Sequence, residues 1–184
     1  TEQLKDKVKV PVECMWQCTD INKFYPEYNE KYKSDLLFVG NSRKVYRKIL
    51  KDLLPTEHNL SVYGADWGGL INKKYIKGDH IPNDELHQAY SSCKILLNDH
   101  WEDMREKGFI SNRIFDGLAC GAYIISDEVS GLDELFKGRV STYSTVDELN
   151  TLIDDALNNP KKVSNDISGH TYEDRVNQFM DVIN

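Results

Sequence analysis

The stretch that decides the fold is Gly108-Phe-Ile-Ser-Asn-Arg-Ile-Phe-Asp116-Gly-Leu-Ala-Cys-Gly121-Ala-Tyr-Ile-Ile-Ser-Asp127. It reads as a loop feeding a helix, a glycine break and then a buried strand. Ser111 or Asn112 can cap the helix, Gly121 can end it, and residues 122–125 supply an apolar run. A helix start carries free N–H groups and a positive dipole end, and Arg113 stands in its first turn. That combination is an anion site. Asp116, one turn further along, can accept hydrogen bonds from sugar hydroxyls. The stretch therefore points to a nucleoside-diphosphate site at the mouth of an α/β sheet.

Outward from this run, strands and helices alternate. Residues 36–40 form a short apolar strand closing on Gly40, and residues 43–54 carry helical apolar spacing at Val45, Ile49, Leu50 and Leu53 up to Pro55. Residues 59–63 read as a second strand closed by Gly64, and residues 76–81 as a short third. Pro82-Asn83-Asp84 makes a turn before a helix over 85–93, followed by a strand over 94–97 and a polar loop over 98–107. The helix of the opening run covers 112–120 and its strand 122–126. A helical turn at 132–136, a strand at 140–143 and helices at 146–157 and 172–183 complete the chain. Short connections between alternating elements imply an α/β fold with a doubly wound, mainly parallel sheet. Ligands of such sheets bind beyond the carboxyl ends of the strands.

Residues 1–34 differ. Residues 8–12 can form a strand, but residues 19–33 are charged and tyrosine-rich without a sustained period, and read as an arm or interdomain linker. Residues 35–184 form the domain proper. The chain opens on Thr1 rather than methionine and reads as a piece of a longer polypeptide.

With 184 residues and 40% hydrophobic content, the chain can build one full core. Thirty acidic against 23 basic residues give a net charge of −7. That balance argues against nucleic acid as the main partner, because a phosphate backbone demands a basic face. No apolar run approaches the about 20 residues of a membrane span. Cys14, Cys18, Cys93 and Cys120 show no disulfide framework; Cys14 and Cys18 have the spacing of half a zinc site, but no second pair follows. Free thiols in a cytoplasmic protein are the simplest reading.

The strand ends carry the candidate chemistry. Gly40-Asn41-Ser42-Arg43 lies between a strand and a helix, where backbone N–H groups and Arg43 can hold a phosphate or merely form a capped turn. Tyr63 and Gly64 close the next strand. Asn98-Asp99-His100-Trp101 follows another; Asp99 and His100 can act as acid, base or sugar ligand, or sit in a solvated loop with Trp101 packed on the body. Trp67 is read as a packing residue. Arg113 is poorly placed against the helix dipole unless it meets a bound anion, and an ion pair with Asp116 is the alternative.

These segments together resemble a known family. Asp35-Leu-Leu-Phe-Val-Gly40-Asn41, Tyr63-Gly64-Ala-Asp-Trp67, Ile81-Pro82-Asn83-Asp84-Glu85-Leu86, Leu96-Leu-Asn-Asp-His100, the opening run and His170-Thr-Tyr-Glu-Asp-Arg175 look like the C-terminal half of a GT-B glycosyltransferase. The similarity is greatest to the CgeB-like group within the group 1 glycosyl transferases. The resemblance implies one Rossmann-like half of a GT-B fold that binds a nucleoside-diphosphate sugar. Asp116 would then hold the ribose hydroxyls, while Ser111, Asn112 and Arg113 meet the diphosphate and Gly40, Asn41, Ser42 and Arg43 approach the same phosphates. Ile81, Pro82 and Asn83 would lie beside the base, and Asn98, Asp99 and His100 would face the donor sugar. It implies no cofactor and no metal, since GT-B enzymes stabilise the leaving diphosphate with a helix dipole and cationic side chains. Many relatives carry two glutamates separated by seven residues; this chain has Asp116 for the second and Gly108 in the register of the first.

The resemblance also implies an N-terminal domain of the same polypeptide, without which this piece transfers no sugar. A non-catalytic nucleotide-sensing or protein-interaction module on the same fold is the other reading, because fold alone does not fix function.

Overall fold

The computed structural model describes residues 5–10 and 12–183. Its centre is a sheet of six strands: β1 (Ser34–Val39), β2 (Leu60–Tyr63), β3 (Ile76–Gly78), β4 (Cys93–Asn98), β5 (Ile124–Asp127) and β6 (Val140–Tyr143). Every neighbouring pair is parallel, and the order across the sheet is β3-β2-β1-β4-β5-β6. This is the doubly wound order, with the chain reversing direction between β1 and β4. The doubly wound α/β architecture read from the sequence is the one found, with a sheet that is parallel throughout rather than mainly so.

Adjacent residues of the central strands face opposite cores. Leu37, Leu96 and Ile124 pack on one side against Ile114, Phe115 and Leu118. Leu36, Phe38, Ile95, Leu97 and Ile125 pack on the other against Ile49, Leu50, Leu149 and Ile153. Burial on both faces explains why these strands are continuous apolar runs without alternation. Each such side chain contributes roughly 1.5–3 kcal/mol when removed from water.

The helices are α1 (Lys48–Leu53), α2 (Leu86–Ser92), α3 (Glu102–Glu106), α4 (Asn112–Ala119), α5 (Leu132–Phe136), α6 (Val146–Asn158) and α7 (Tyr172–Ile183). Three departures from the sequence reading have physical causes. The first helix starts at Lys48 rather than residue 43, because Arg43 and Lys44 are left-handed (φ 52° and 63°) and the Ser42 hydroxyl takes the Lys44 N–H at 3.0 Å. The stretch 98–107 is not simply a polar loop. Asn98, Asp99 and His100 are buried, and α3 follows with Glu102 and Asp103 at its positive end. Residues 8–10 and 12 form no strand; Pro11 lies outside the described residues.

Helix α4 carries the opening run and ends as its sequence implies. Gly121 is left-handed at φ 74°, its N–H bonds the Leu118 carbonyl at 2.9 Å, and the Ala122 N–H bonds that of Gly117 at 2.9 Å. This is a Schellman ending. A Cβ on Gly117 would lie 2.6 Å from Leu96 Cδ2, so the helix sits unusually close to the sheet.

The N-terminal arm is bound to the body at two places along its course. Thr19 bridges Thr171, and Arg175 of α7 donates to the Trp16 carbonyl at 2.8 Å and to that of Gln17 at 3.1 Å. Further on, Glu27 meets His87 and Gln88 of α2 at 3.0 and 2.8 Å. On α7 itself Tyr172, Val176, Phe179, Met180 and Ile183 stay exposed. Among the described residues no helix is long and apolar enough to cross a membrane.

Candidate functional site

The candidate site lies at the carboxyl ends of β1 and β4, where the strand order reverses and where sheets of this kind receive ligands. Arg113, in the first turn of α4, reaches across it. Its Nη1 donates to Asn98 Oδ1 at 2.6 Å, and its guanidinium carbon stands 5.2 Å from the centre of the Phe38 ring. Asn98 is itself oriented by donating Nδ2 to Ser126 Oγ at 2.8 Å, so its oxygen must face the arginine. A Cβ on Gly40 would come within 2.9 Å of Arg113 Nη2. Glycine at that position is what lets the guanidinium lie over the end of β1. Among the described residues no carboxylate pairs with Arg113; its hydrogen-bond partner is a neutral amide.

A second arginine, which the sequence reading passed over, also stands near the same ring. Arg47 is buried, with its guanidinium carbon 5.8 Å from the Phe38 centre and 4.2 Å from that of Trp101. Asp99 answers it. Arg47 Nε donates to Asp99 Oδ2 at 3.2 Å, and Nη2 contacts both Asp99 Oδ1 and the Asp99 carbonyl, the latter at 3.0 Å. Asp99 Oδ2 also lies 3.5 Å from the Ile49 N–H at the start of α1. Both groups are buried. The Asp99 carboxylate is thus committed to an arginine and a helix start.

His100 is equally committed. Nδ1 lies 2.6 Å from Asp127 Oδ1, and the His100 backbone N–H meets the same carboxylate at 3.1 and 3.2 Å. Nε2 accepts the Ser111 N–H at 3.0 Å. A neutral imidazole protonated on Nδ1 satisfies both contacts at once. Asp127 also receives Ser126 Oγ at 3.2 Å and Arg105 Nη1 at 3.4 Å. Ser111 occupies the N-cap position of α4, but its side chain makes no capping bond.

Asp116 is 7% exposed and faces the arm. Thr19 Oγ1 donates to Oδ1 at 2.7 Å and Asn112 Nδ2 to Oδ2 at 2.8 Å. The ion pair with Arg113 allowed for in the sequence is not made, because that side chain turns to Asn98. Burial pushes the Asp116 carboxyl up to about 6, against the opposing pull of its two hydrogen bonds and of the Arg113 charge.

The turn after β1 is shaped by its own polar groups. Asn41 Oδ1 accepts the Ala65 N–H at 2.8 Å, and the buried Ser42 hydroxyl donates to the Asp66 carbonyl at 2.6 Å. Arg43 projects to the surface 5.7 Å from the Trp101 ring centre. Gly64 packs so closely that a Cβ would fall 2.2 Å from the Gly40 carbonyl oxygen, and Trp67 Nε1 donates to that oxygen at 2.9 Å. Trp67 is buried against Phe38, the packing role read from the sequence. Tyr63 is half-buried at the end of β2, Ile81 belongs to the core, and Pro82 and Asn83 are exposed. Cys14, Cys18, Cys93 and Cys120 are free, and burial pushes the Cys93 thiol up to about 12, as for an unreactive packing residue.

The structure therefore gathers Gly40, Asn98, Ser111, Asn112 and Arg113 at the ends of β1 and β4 and the start of α4, with Asp116 one turn further along. It turns Asp99 and His100 inward. Arg47 and Thr19 were missed because each acts over a long sequence separation. Asp127 was visible only as a polar residue at a strand end.

Known proteins resemble this chain in sequence or in fold. The spore protein CgeB of Bacillus subtilis (strain 168) is 28% identical over 112 residues, which is 52% of this chain and 35% of that protein. Sucrose-phosphate synthase from Thermosynechococcus elongatus superposes with a TM-score of 0.67 at 14% identity, covering 91% of this chain and 50% of that one. The chain thus spans about a third of its curated relative and half of the synthase. The glycosyl transferase-like family matches residues 43–181, which include β4 and the start of α4 but not β1, and the chain belongs to that family.

Proposed function

We propose that this chain is the donor-binding half of a glycosyltransferase, taking up a nucleoside-diphosphate sugar in the crevice between β1 and β4. The observation that carries the reading is Arg113. A guanidinium held at the switch point by a neutral amide, beside the N–H groups of a helix start, is an uncompensated cation where such sheets receive their ligands. The diphosphate pairs with Arg113 and the free N–H groups of Asn112 and Arg113, with Arg43 approaching from the opposite turn. The base lies toward Ile81, Pro82 and Asn83, beyond Tyr63 and Gly64. Asp116 serves the ribose once its bond to Thr19 is exchanged for sugar hydroxyls. The same cations would stabilise the leaving diphosphate without a metal.

The rest of the site belongs to a second Rossmann-like half, for which residues 1–34 form the linker and the exposed apolar face of α7 the contact surface. Acceptor chemistry resides there, so the 184 residues alone bind nucleotide but transfer no sugar. Calorimetric titration with UDP, GDP and their sugars tests the reading. Binding of one diphosphate, weakened tenfold or more by Arg113→Ala, is expected. No binding at millimolar concentration by a folded chain would favour a protein-interaction module instead, and measured sugar turnover by the isolated chain would overturn the division of labour.

A further inference from the structure

We infer that His100 is the positioning residue of the diphosphate site, acting through its Nε2 on the backbone of Ser111 rather than on the sugar. The inference rests on the nucleotide reading above for its purpose, though not for its geometry. A helix start presents several N–H groups without intrahelical partners, and their directions are as good as the anchoring of the first turn. The N-cap residue would normally supply that anchor from its side chain, but Ser111 makes no such bond. Its own N–H is held instead from outside, by His100 Nε2 at 3.0 Å.

For Nε2 to accept, the proton must reside on Nδ1, and Asp127 fixes it there. The carboxylate takes Nδ1–H at 2.6 Å and the His100 backbone N–H as well, so ring and chain are oriented together. The charged and polar groups packed on this pair are Arg105 from α3 and the Ser126 hydroxyl from β5. From Ser126 the linkage continues through Asn98 to Arg113. Two chains of hydrogen bonds thus converge on the first turn of α4. One runs from Asp127 through His100 to the Ser111 amide, the other from Ser126 through Asn98 to the Arg113 guanidinium. The imidazole side chain is fully buried, with both nitrogens engaged. It acts as a strut, and the N–H it occupies is not offered to the ligand. That leaves the amides of Asn112 and Arg113, first-turn groups without intrahelical partners, for a ligand.

Two variants separate the halves of the imidazole. His100→Gln places an acceptor oxygen near the position of Nε2, and His100→Asn keeps a donor near that of Nδ1 but cannot reach Ser111. Hydrogen exchange of the Ser111 amide, measured by NMR on the full chain, should slow in the parent and in H100Q and quicken at least fivefold in H100N. The imidazole nitrogen shifts of the parent should report a neutral ring protonated at Nδ1. The affinity for UDP or GDP, whichever the parent binds, should fall about tenfold in H100N and recover most of the way in H100Q. Ser111 exchange unchanged in a folded H100N overturns the strut, as does a nucleotide affinity that does not follow that exchange. A parent that binds neither nucleotide, yet shows the expected exchange pattern, sinks the nucleotide reading and leaves the anchored amide standing.

Discussion

Two helix starts, those of α1 and α4, each bring an arginine near the Phe38 ring, and they treat charge in opposite ways. At α1, Arg47 and Asp99 neutralise each other in a buried pair that also meets the helix amides. At α4, Arg113 and Asp116 stand one turn apart without pairing, and each is bonded by neutral groups: Asn98 for the arginine, Thr19 and Asn112 for the aspartate. Holding opposite charges apart forgoes stabilisation that the chain secures a few ångströms away. The α1 end is self-sufficient and reads as structure. The α4 end leaves Arg113 with a neutral amide as its hydrogen-bond partner, and on the proposed reading a bound diphosphate supplies the missing negative charge.

The largest effect follows from that contrast. Asp99→Ala leaves the Arg47 guanidinium buried without its carboxylate, which costs about 3–5 kcal/mol. Arg113→Ala, by contrast, strands no buried charge and should cost less, about 1–3 kcal/mol, because the buried Asn98 oxygen loses its donor. Urea unfolding of the two variants measures both. Equal losses would erase the distinction between a structural and an available arginine.

Next in size is the pH response of Asp116. The folded carboxyl keeps its proton up to about pH 6, the unfolded one only to about pH 4. Between these values the folded state carries more protons, so stability falls as pH rises through the window and levels off above it. The contribution is on the order of 3 kcal/mol. Subtracting the stability curve of Asp116→Asn from that of the parent isolates it. A parent that gained stability relative to the variant between pH 4 and 6 would contradict the buried, neutral-bonded environment.

How much of this was legible in the sequence differs between the two ends. The sheet, its parallel order and the course of α4 follow from short-range pattern: apolar runs such as Leu36 to Val39, the turn at Gly121, the spacing of Ile114, Phe115 and Leu118. The candidate crevice residues around Arg113 were readable for the same reason, because one local run carries them. What escaped was pairing at long range. Arg47 looked like part of an amphipathic helix that begins, in fact, one residue later, and nothing near Asp99 announced its partner. Thr19 sits in an arm without periodicity, yet it covers Asp116. Asp99 and His100, polar and adjacent to a strand, looked like exposed chemistry; only the fold shows that Arg47 and Asp127 draw them inward.

A finer test exchanges the shape of the available cation while keeping its charge. Arg113→Lys retains a positive group near the crevice but loses the planar fork that donates to Asn98 while lying over Phe38. Affinity for the bound nucleoside diphosphate should fall about fivefold, roughly 1 kcal/mol, and less than in Arg113→Ala. A lysine variant as strong as the parent would mean that charge alone, without placement, serves the site.

The smallest effect probes the glycine that makes room. Gly40→Ala brings a methyl group within 2.9 Å of Arg113 Nη2, but that atom is the free end of a flexible side chain and can retreat. Stability should change by less than about 0.5 kcal/mol, while affinity falls two- to threefold as the guanidinium lifts from the end of β1. Gly64→Ala is the matched control. Its Cβ meets the Gly40 carbonyl oxygen at 2.2 Å and its φ is 141°, so backbone must move and stability, not affinity alone, should suffer. If Gly40→Ala instead unfolds the chain as readily as Gly64→Ala, the turn after β1 belongs with the rigid α1 end, and the freedom assigned to Arg113 is lost.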